Sequence, residues 1–591
     1  MSTPAPPLPP PTTRFRTVTR FFRIALPYWR SERRSRIWGA TLLLLLLTGA
    51  QVALVLWTNY WNRGFFDALE ARSLDALLRQ VLIFGLILIL TMVVTALHMQ
   101  VKRWLQLDWR RWLTEGLLGE WMSGARHYRL QFALGEHDNP DQRIAEDIRI
   151  ATESAVSLAH SLTYSLLIGF GFIDILLRVS GSAPIPGSEV SVPGYMVVLA
   201  FVYAGAGSLL GFTLGRPLVS TTNRLQSLEA NLRFSLARAR EHSESIALMR
   251  GEGLERRTAA RLFQDVSRGW NRQTLAYLGI VSFSTAYGNL LPVFPVLIAA
   301  PQFIAGAMTL GVLMQAAQAF QQLTSALSWP VDHLGELAYW GASAGRVVTL
   351  HDDLGQMERA VAEEADQIRV APQPKAELDI CHLHLATPAG ATLLADFNLR
   401  VRRGERVLIT GDASVTLSLF KAVAGLWPWG RGEIRLPDGQ EIVFLPQQPF
   451  LPAGSLRAAL CYPHGADHYA SAALHRALEC AGIAWIAPRL DEADDWSRVL
   501  PLRGQQRLGL ARVFLQQPGW VLLDEATNAF DPRGEGCVLE MLHHELPNAA
   551  VLTISQHAGL ERYHDRRIEV HRVEETRAHP AADAGLGKTG G

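Results

Sequence analysis

Net charge is what this chain most lacks: its 591 residues hold 56 Lys and Arg against 55 Asp and Glu. There is no basic surplus to hold a polyanion, so no nucleic-acid partner is expected. Cysteine is scarce too. The four present, Cys381, Cys461, Cys480 and Cys537, lie in the C-terminal third without a CxxC pair, which excludes a disulfide scaffold and points to reduced cytosolic thiols. Charged residues make up only 19% of the chain while 49% are hydrophobic, which excludes a disordered chain. The proline-rich first residues show no short apolar stretch ahead of a small-residue cleavage site, so no cleavable signal peptide is expected. Residues 1–20 read as a disordered tail.

The apolar residues are not spread evenly. A bilayer span needs about 20 of them with few charges, because hydrocarbon solvates neither ions nor unpaired backbone groups. Uncharged runs cover Ile37–Asn62, Gln80–Val101, Ser154–Ile173, Val190–Gly215 and Gln273–Val331. The last is long enough for two spans joined near Pro301–Gly306, so six transmembrane helices are expected over 21–361. Arginines crowd between Arg14 and Arg36, whereas the loops after spans three and five carry no Lys or Arg; both termini are then cytosolic. The inner connections Lys102–Glu153 and Arg216–Arg272 are rich in Arg, Glu, Leu and Ala and nearly lack proline, so helices should continue well beyond the bilayer. Asp174, at the end of a run, has Arg178 four residues on. An ion pair along one helix suffices there, with proton coupling as the alternative.

Past a linker at 362–377, short apolar runs (RVLIT, IVFLP, WVLLD, AVLTIS) alternate with helical stretches. That is the pattern of an α/β domain with a largely parallel sheet, over 378–575, followed by a second disordered tail at 576–591. In order, the runs resemble most of an ATP-binding cassette. WVLLDEAT looks like a Walker B strand, in which Asp524 would hold Mg²⁺ through water and Glu525 would polarise the attacking water. Gln447 in FLPQQP stands at a Q-loop, near metal and γ-phosphate. Asp531 in AFD stands at a D-loop, and His557 in TISQH at the switch histidine. Each alone has a plain reading as a solvated polar side chain; their order and spacing together specify the cassette.

The phosphate loop departs from that pattern. A working loop is GxxxxGK[ST], whose N–H groups cradle phosphates while Lys neutralises their charge and Ser or Thr holds the metal. Here RVLIT runs into GDASVTLSLFK. Counted from Gly411, the lysine position is Leu417 and Ser418 keeps the metal hydroxyl; aligned on the following helix, the lysine position is Thr416 and the loop is one residue short. Neither register contains a lysine, and Lys421 lies a helical turn further on. Gly411, Ser414, Thr416 and Ser418 remain the candidate nucleotide contacts. GKT at Gly587–Thr589 has no strand before it and no helix after it. Where a signature loop LSxGE is expected before QQRLGLAR, the chain has Leu500, Pro501, Leu502, Arg503 and Gly504; Pro501 offers neither hydroxyl nor N–H, and Arg503 is a possible stand-in cation. No aromatic residue between Ala376 and Asp396 offers a stacking platform for adenine.

NYWNRGFFDALE (Asn59–Glu70), WRRWLTE (Trp109–Glu115), HDNPDQRIAEDI (His137–Ile148), LEANLRFSLARAREHSESIAL (Leu228–Leu248) and GVLMQAAQAF (Gly311–Phe320) resemble the SbmA/BacA-like bacterial transporters, which are related to peroxisomal fatty-acyl ABC transporters. The resemblance runs from about Phe21 to Arg572. It implies an ABC exporter-type fold and a homodimer in the inner membrane. It also implies uptake of peptide-like or bulky solutes such as cobalamin, with ATP and Mg²⁺ as cofactors. Within HDNPDQRIAEDI, Asn139 and Pro140 open a helix with Asp141 in its first turn; with Gln142, Arg143, Glu146 and Asp147 this segment is the candidate coupling element between membrane domain and cassette. The expected architecture is a polytopic α-helical membrane domain followed by an α/β ATP-binding-cassette domain. Two alternatives stand beside ATP-driven transport: a carrier driven by an ion gradient with an inactive cassette, and a non-transporting scaffold.

Overall fold

The computed structural model describes residues 19–132, 139–184, 191–363, 367–439 and 441–573. Most of the expected N-terminal tail, all of the C-terminal one with its GKT, His137 and Asp138 of the coupling motif, and residues 364–366 of the linker lie outside them. The described residues form two compact units. One runs to Glu120 and resumes at the Asp138 boundary as far as Asp352; the other joins a segment from Trp121, bounded by His137, to everything from Asp353 onward.

The membrane unit is built of long helices: α1 (Arg34–Glu70), α2 (Leu74–Met122), α3 (Ile148–Val179), α4 (Tyr195–Glu241), α5 (Glu252–Ile304), α6 (Leu310–Asp332) and α7 (Leu334–Glu363). With 49 residues, α2 is about 74 Å long at 1.5 Å per residue, more than twice the hydrocarbon thickness. The composition of the inner connections thus does extend the helices past the bilayer. Asp174 and Arg178 form the i,i+4 ion pair on α3, at 3.0 Å with both side chains exposed.

Six spans are expected from the runs, but five described helical segments are long and apolar enough to cross a membrane. The chain does break near Pro301–Gly306, and α6 follows, but no stretch of α6 is as apolar as those in the five segments. Its position explains why. α6 packs against α1, α3, α4 and α5, and Gln315, Ala316, Ala319, Phe320 and Leu323 on it are completely buried. A helix enclosed by protein needs no lipid-facing apolar surface, and its small residues let neighbours approach closely. The NYWNRGFFDALE motif at the end of α1 holds it in place. Asn59 Nδ2 donates to Gln315 O (3.1 Å) and Gln318 Oε1 (3.0 Å), and Asn62 Nδ2 to the same Oε1 (3.0 Å). Asp67 and Glu70 accept from the free N–H groups of Gly311 and Leu310 at the α6 N-terminus, where carboxylates are favoured.

In the second unit, four strands form a mixed sheet: β1 (Ile368–Gln373), β2 (Glu377–Ala386), β3 (Thr392–Arg402) and β5 (Gly430–Pro437), ordered β1-β5-β2-β3. Five others are all parallel: β4 (Arg406–Gly411), β6 (Ile442–Leu445), β7 (Trp520–Asp524), β8 (Ala550–Ile554) and β9 (Arg566–Val570), ordered β9-β4-β8-β7-β6. Every residue of β7 and β8 is buried, as a sheet covered on both faces requires. One face packs on the mixed sheet and on α8 (Ala413–Val423). The other packs on α9 (Leu502–Gln516) and α10 (Pro532–Glu545). The α/β domain expected from the alternating runs is therefore present.

The segment after α2 also belongs to this unit. Gly124 and Ala125 take positive φ (56° and 57°), which ends the helix, and the chain turns into Arg126–Phe132. There the Phe132 ring lies 4.9 Å from that of Trp429, and Arg129 Nη2 donates to Gly425 O at 3.2 Å. The loop thus gripped directly follows α8.

Candidate functional site

The parallel strands end together at Gly411, Asp524 and Ile554, the sheet edge where ligands bind in open α/β folds. Asp524, 8% exposed, closes β7. Burial and then the charge of Glu525 push its carboxyl up to about 6, partly offset by Lys421. Glu525 has a positive φ of 46° and its N–H donates to Ile554 O at 2.9 Å; its carboxylate accepts weakly from Asn528 Nδ2 at 3.4 Å. His557, just past β8, places Nδ1 2.8 Å from Glu535 Oε2. Glu535, 1% exposed, also accepts from Thr527 Oγ1 at 2.6 Å, so it ties the acid loop to the histidine. Gln447 is exposed in the loop after β6. Its carbonyl accepts from Gln506 Nε2 at 2.8 Å, and the same nitrogen reaches Asn528 Oδ1 at 2.8 Å. Gln506 is completely buried and joins the segments that carry Gln447, Glu525 and Ala529.

At the strand that should open the phosphate loop the geometry is different. β4 ends at Gly411 and α8 starts at Ala413, with Asp412 alone between them. Gly411 has φ +130°, and a Cβ there would collide with the Val570 carbonyl. Asp412 caps the helix with its own side chain: Oδ1 accepts from Ser414 N–H at 2.8 Å and from Ser414 Oγ at 2.6 Å. These two bonds, hydroxyl first, hold the Asp412 carboxyl below the usual carboxylate range. Thr416 and Ser418 are buried, and their hydroxyls donate back to Ala413 O (3.2 Å) and Ser414 O (2.8 Å) within the helix. Leu417 is 41% exposed. The ammonium of Lys421 lies 5.7 Å from the ring centres of both Tyr128 and Trp427.

A nucleoside triphosphate needs free N–H groups and a cation at this helix N-terminus. Here a carboxylate already takes the N–H of Ser414, and the residues present do not fit a triphosphate. At the signature loop Pro501 is the N-cap residue of α9 and gives it no side-chain bond. Arg503 lies 3.7 Å from Asp531 Oδ1, with its guanidinium 5.2 Å from the Phe530 ring centre. It is held on its own D-loop.

Of the coupling residues, Asn139 has φ 62° and precedes the turn Pro140–Gln142, with Asp141 inside it. Gln142 Nε2 donates to Glu146 Oε2 at 3.2 Å. Arg143–Asp147 form one wider π-helical turn, and Arg143 is buried. Asp147, 3% exposed, accepts two bonds from Arg346 on α7, at 2.7 and 2.5 Å. Glu535, Gln506 and Arg346 are the residues that sequence reasoning missed. An acid in the first turn after Asp531–Pro532 was visible, but nothing marked it as buried.

Residues 22–304 match the family model for ABC transporter transmembrane region 2. The inner membrane ABC transporter ATP-binding protein YddA of Escherichia coli is 28% identical over 93% of this chain and 97% of its own length. An ABC transporter ATP-binding protein of Synechocystis, itself uncharacterized, is 30% identical over 89% of this chain and 79% of its own. The mouse lysosomal cobalamin transporter ABCD4 is 27% identical over 94% and 95%. With helices that can cross a membrane, a sheet whose strands end at the cassette positions, and a 30% identical relative matched over most of both chains, this protein belongs to the ATP-binding cassette transporter family.

Proposed function

We propose that this half-transporter works as a homodimer in the bacterial inner (plasma) membrane. It carries six spans including α6, with both termini and the cassette in the cytosol, and moves a peptide-like or cobalamin-like solute. In this reading the phosphate and signature loops are degenerate and the cassette turns over little or no ATP; solute or ion binding moves the membrane domain. The observation that carries it is the direct passage from β4 through Asp412 into α8. Homodimerisation follows from the chain being altered in both loops. Each nucleotide in a cassette dimer needs one subunit's phosphate loop and the other's signature loop, so pairing with an intact partner restores no complete site. Against this stands ATP-driven transport, favoured by Asp524, Glu525 and His557 at the ends of their strands.

ATP turnover of the purified dimer separates the two. The expected rate is below about 0.1 per second, and Glu525→Gln changes it less than about twofold, because the charge stabilisation that dominates phosphoryl transfer is missing. A rate of about 1 per second or faster that Glu525→Gln abolishes overturns the proposal. Uptake of a labelled peptide or of cyanocobalamin into proteoliposomes separates a carrier from a scaffold.

A further inference from the structure

Two histidines of the membrane unit meet without a hydrogen bond. His98 lies in the last turn of the uncharged run on α2, and His160 in the second turn of the run on α3. Their ring centroids are 4.2 Å apart, with the planes at 47°. The Nε2 atoms of both are buried and have no partner among the described residues, and His98 as a whole is 6% exposed. A buried ring nitrogen without a partner costs the fold stability. Two such rings in contact, one on α2 and one on α3, in segments otherwise free of charge, are candidates for a functional role.

The surroundings restrict that use. Lys102 is one helical turn from His98 on α2, and Glu336 at the start of α7 acts on Lys102. On α3, Tyr164 stacks on His160 at 6.2 Å. From α6, Trp329 donates to Ser161 Oγ at 3.0 Å, with Asp332 and His333 at the end of that helix. Among the described residues no group of three or more His, Cys, Asp or Glu could hold a metal ion, so the pair lacks the ligand count of a metal site.

We propose that His98 and His160 form a one-proton site in the membrane unit, whose loading and release couple proton movement to motion of α2 against α3. The inference rests on the reading that the cassette does not supply the work. A proton delivered from water adds to the Nε2 lone pair of one ring, giving an imidazolium whose charge the neighbouring ring meets at about 4 Å. A second proton would set two like charges about 4 Å apart and binds about a thousandfold more weakly. The loaded pair carries positive charge one turn from Lys102, which favours opening of the contact to water. The empty pair favours the ring contact seen here.

The test is proton binding by the full-length protein in nanodiscs of phosphatidylethanolamine and phosphatidylglycerol, titrated between pH 8 and pH 5 with ¹⁵N-histidine spectra recorded alongside. The wild type should take up about one proton more than the His98→Gln/His160→Gln double variant, and two ring signals should shift together and vanish in that variant. A difference of two protons, meaning two independent histidines, or of none overturns the proposal. Should the double variant not fold, His98→Gln alone must uncouple the remaining ring, and Lys102→Gln must move the joint titration up by about one pH unit; no movement overturns it. ATP turnover in the same nanodiscs is read separately: hydrolysis contradicts the cassette reading, whereas the proton count alone decides the site.

Discussion

Replacing Gly411–Ser418 by GPSGSGKS together with Leu500–Gly504 by LSLGE should raise ATP turnover by about a hundredfold or more, and either replacement alone far less. The structure indicates why both are needed and why the first can be accommodated. The new loop removes Asp412, which holds the Ser414 N–H, and unwinds the first turn of α8 to free further N–H groups. Leu417 is 41% exposed, so a lysine at that position meets open space, and Ser418 is already in register behind it. The change costs stability: loss of the Asp412 cap is worth about 1 kcal/mol, and Val415, completely buried, becomes a serine at about 2 kcal/mol. Unchanged tryptophan emission would show that the sheet survives. The signature change replaces Pro501, which cannot donate, and frees Asp531 from Arg503. Equal turnover before and after the double repair would show that these loops do not limit the cassette.

Asp147→Ala should destabilise the membrane unit by about 3–5 kcal/mol, the cost of breaking a buried ion pair by removing one partner. Asp147 has a side chain 4% exposed and accepts both bonds of Arg346, while Arg346 is 47% exposed. Because the guanidinium reaches water, the loss sits toward the lower end of that range. Arg346→Ala leaves the carboxylate buried alone and should cost more than Asp147→Ala; Asp147→Asn keeps one hydrogen bond and should cost least. Thermal unfolding in detergent checks that order. A thermal midpoint unchanged in Asp147→Ala would mean that the pair does not brace α3 against α7, and would return Asp147 to a purely coupling role.

How far the sequence could be read follows from where its signals are local. Walker B is a run of apolar β-formers ending in Asp524 and Glu525, and a parallel strand buried on both faces writes itself as such a run. The ends of α5 and α6 were legible because Gly306 and its neighbours break the apolar stretch. The four glutamines of α6 suit a helix surrounded by others, although hydropathy counts them as if they faced lipid. Two registers fit the phosphate loop from sequence; Asp412, a residue type favoured at helix N-caps, caps α8 and makes it start at Ala413. The break at Gly124 and Ala125 has a local mark in Ser123-Gly124, a pair that suits a helix end, but the packing of Phe132 and Arg129 on the loop after α8 depends on residues far away in the chain. The burial of Glu535 and the pairing of Asp147 with Arg346 depend on residues far apart in the chain, and no local pattern carries them.

Equilibrium binding of ATP to the unmodified full-length protein, in the presence of Mg²⁺, tests the central claim most directly. With the carboxylate of Asp412 at the start of α8 and no lysine beside it, saturable binding should be absent up to about 1 mM ATP. Saturable binding with a Kd of about 100 μM or tighter, lost when Asp524 is replaced by Asn, would contradict it.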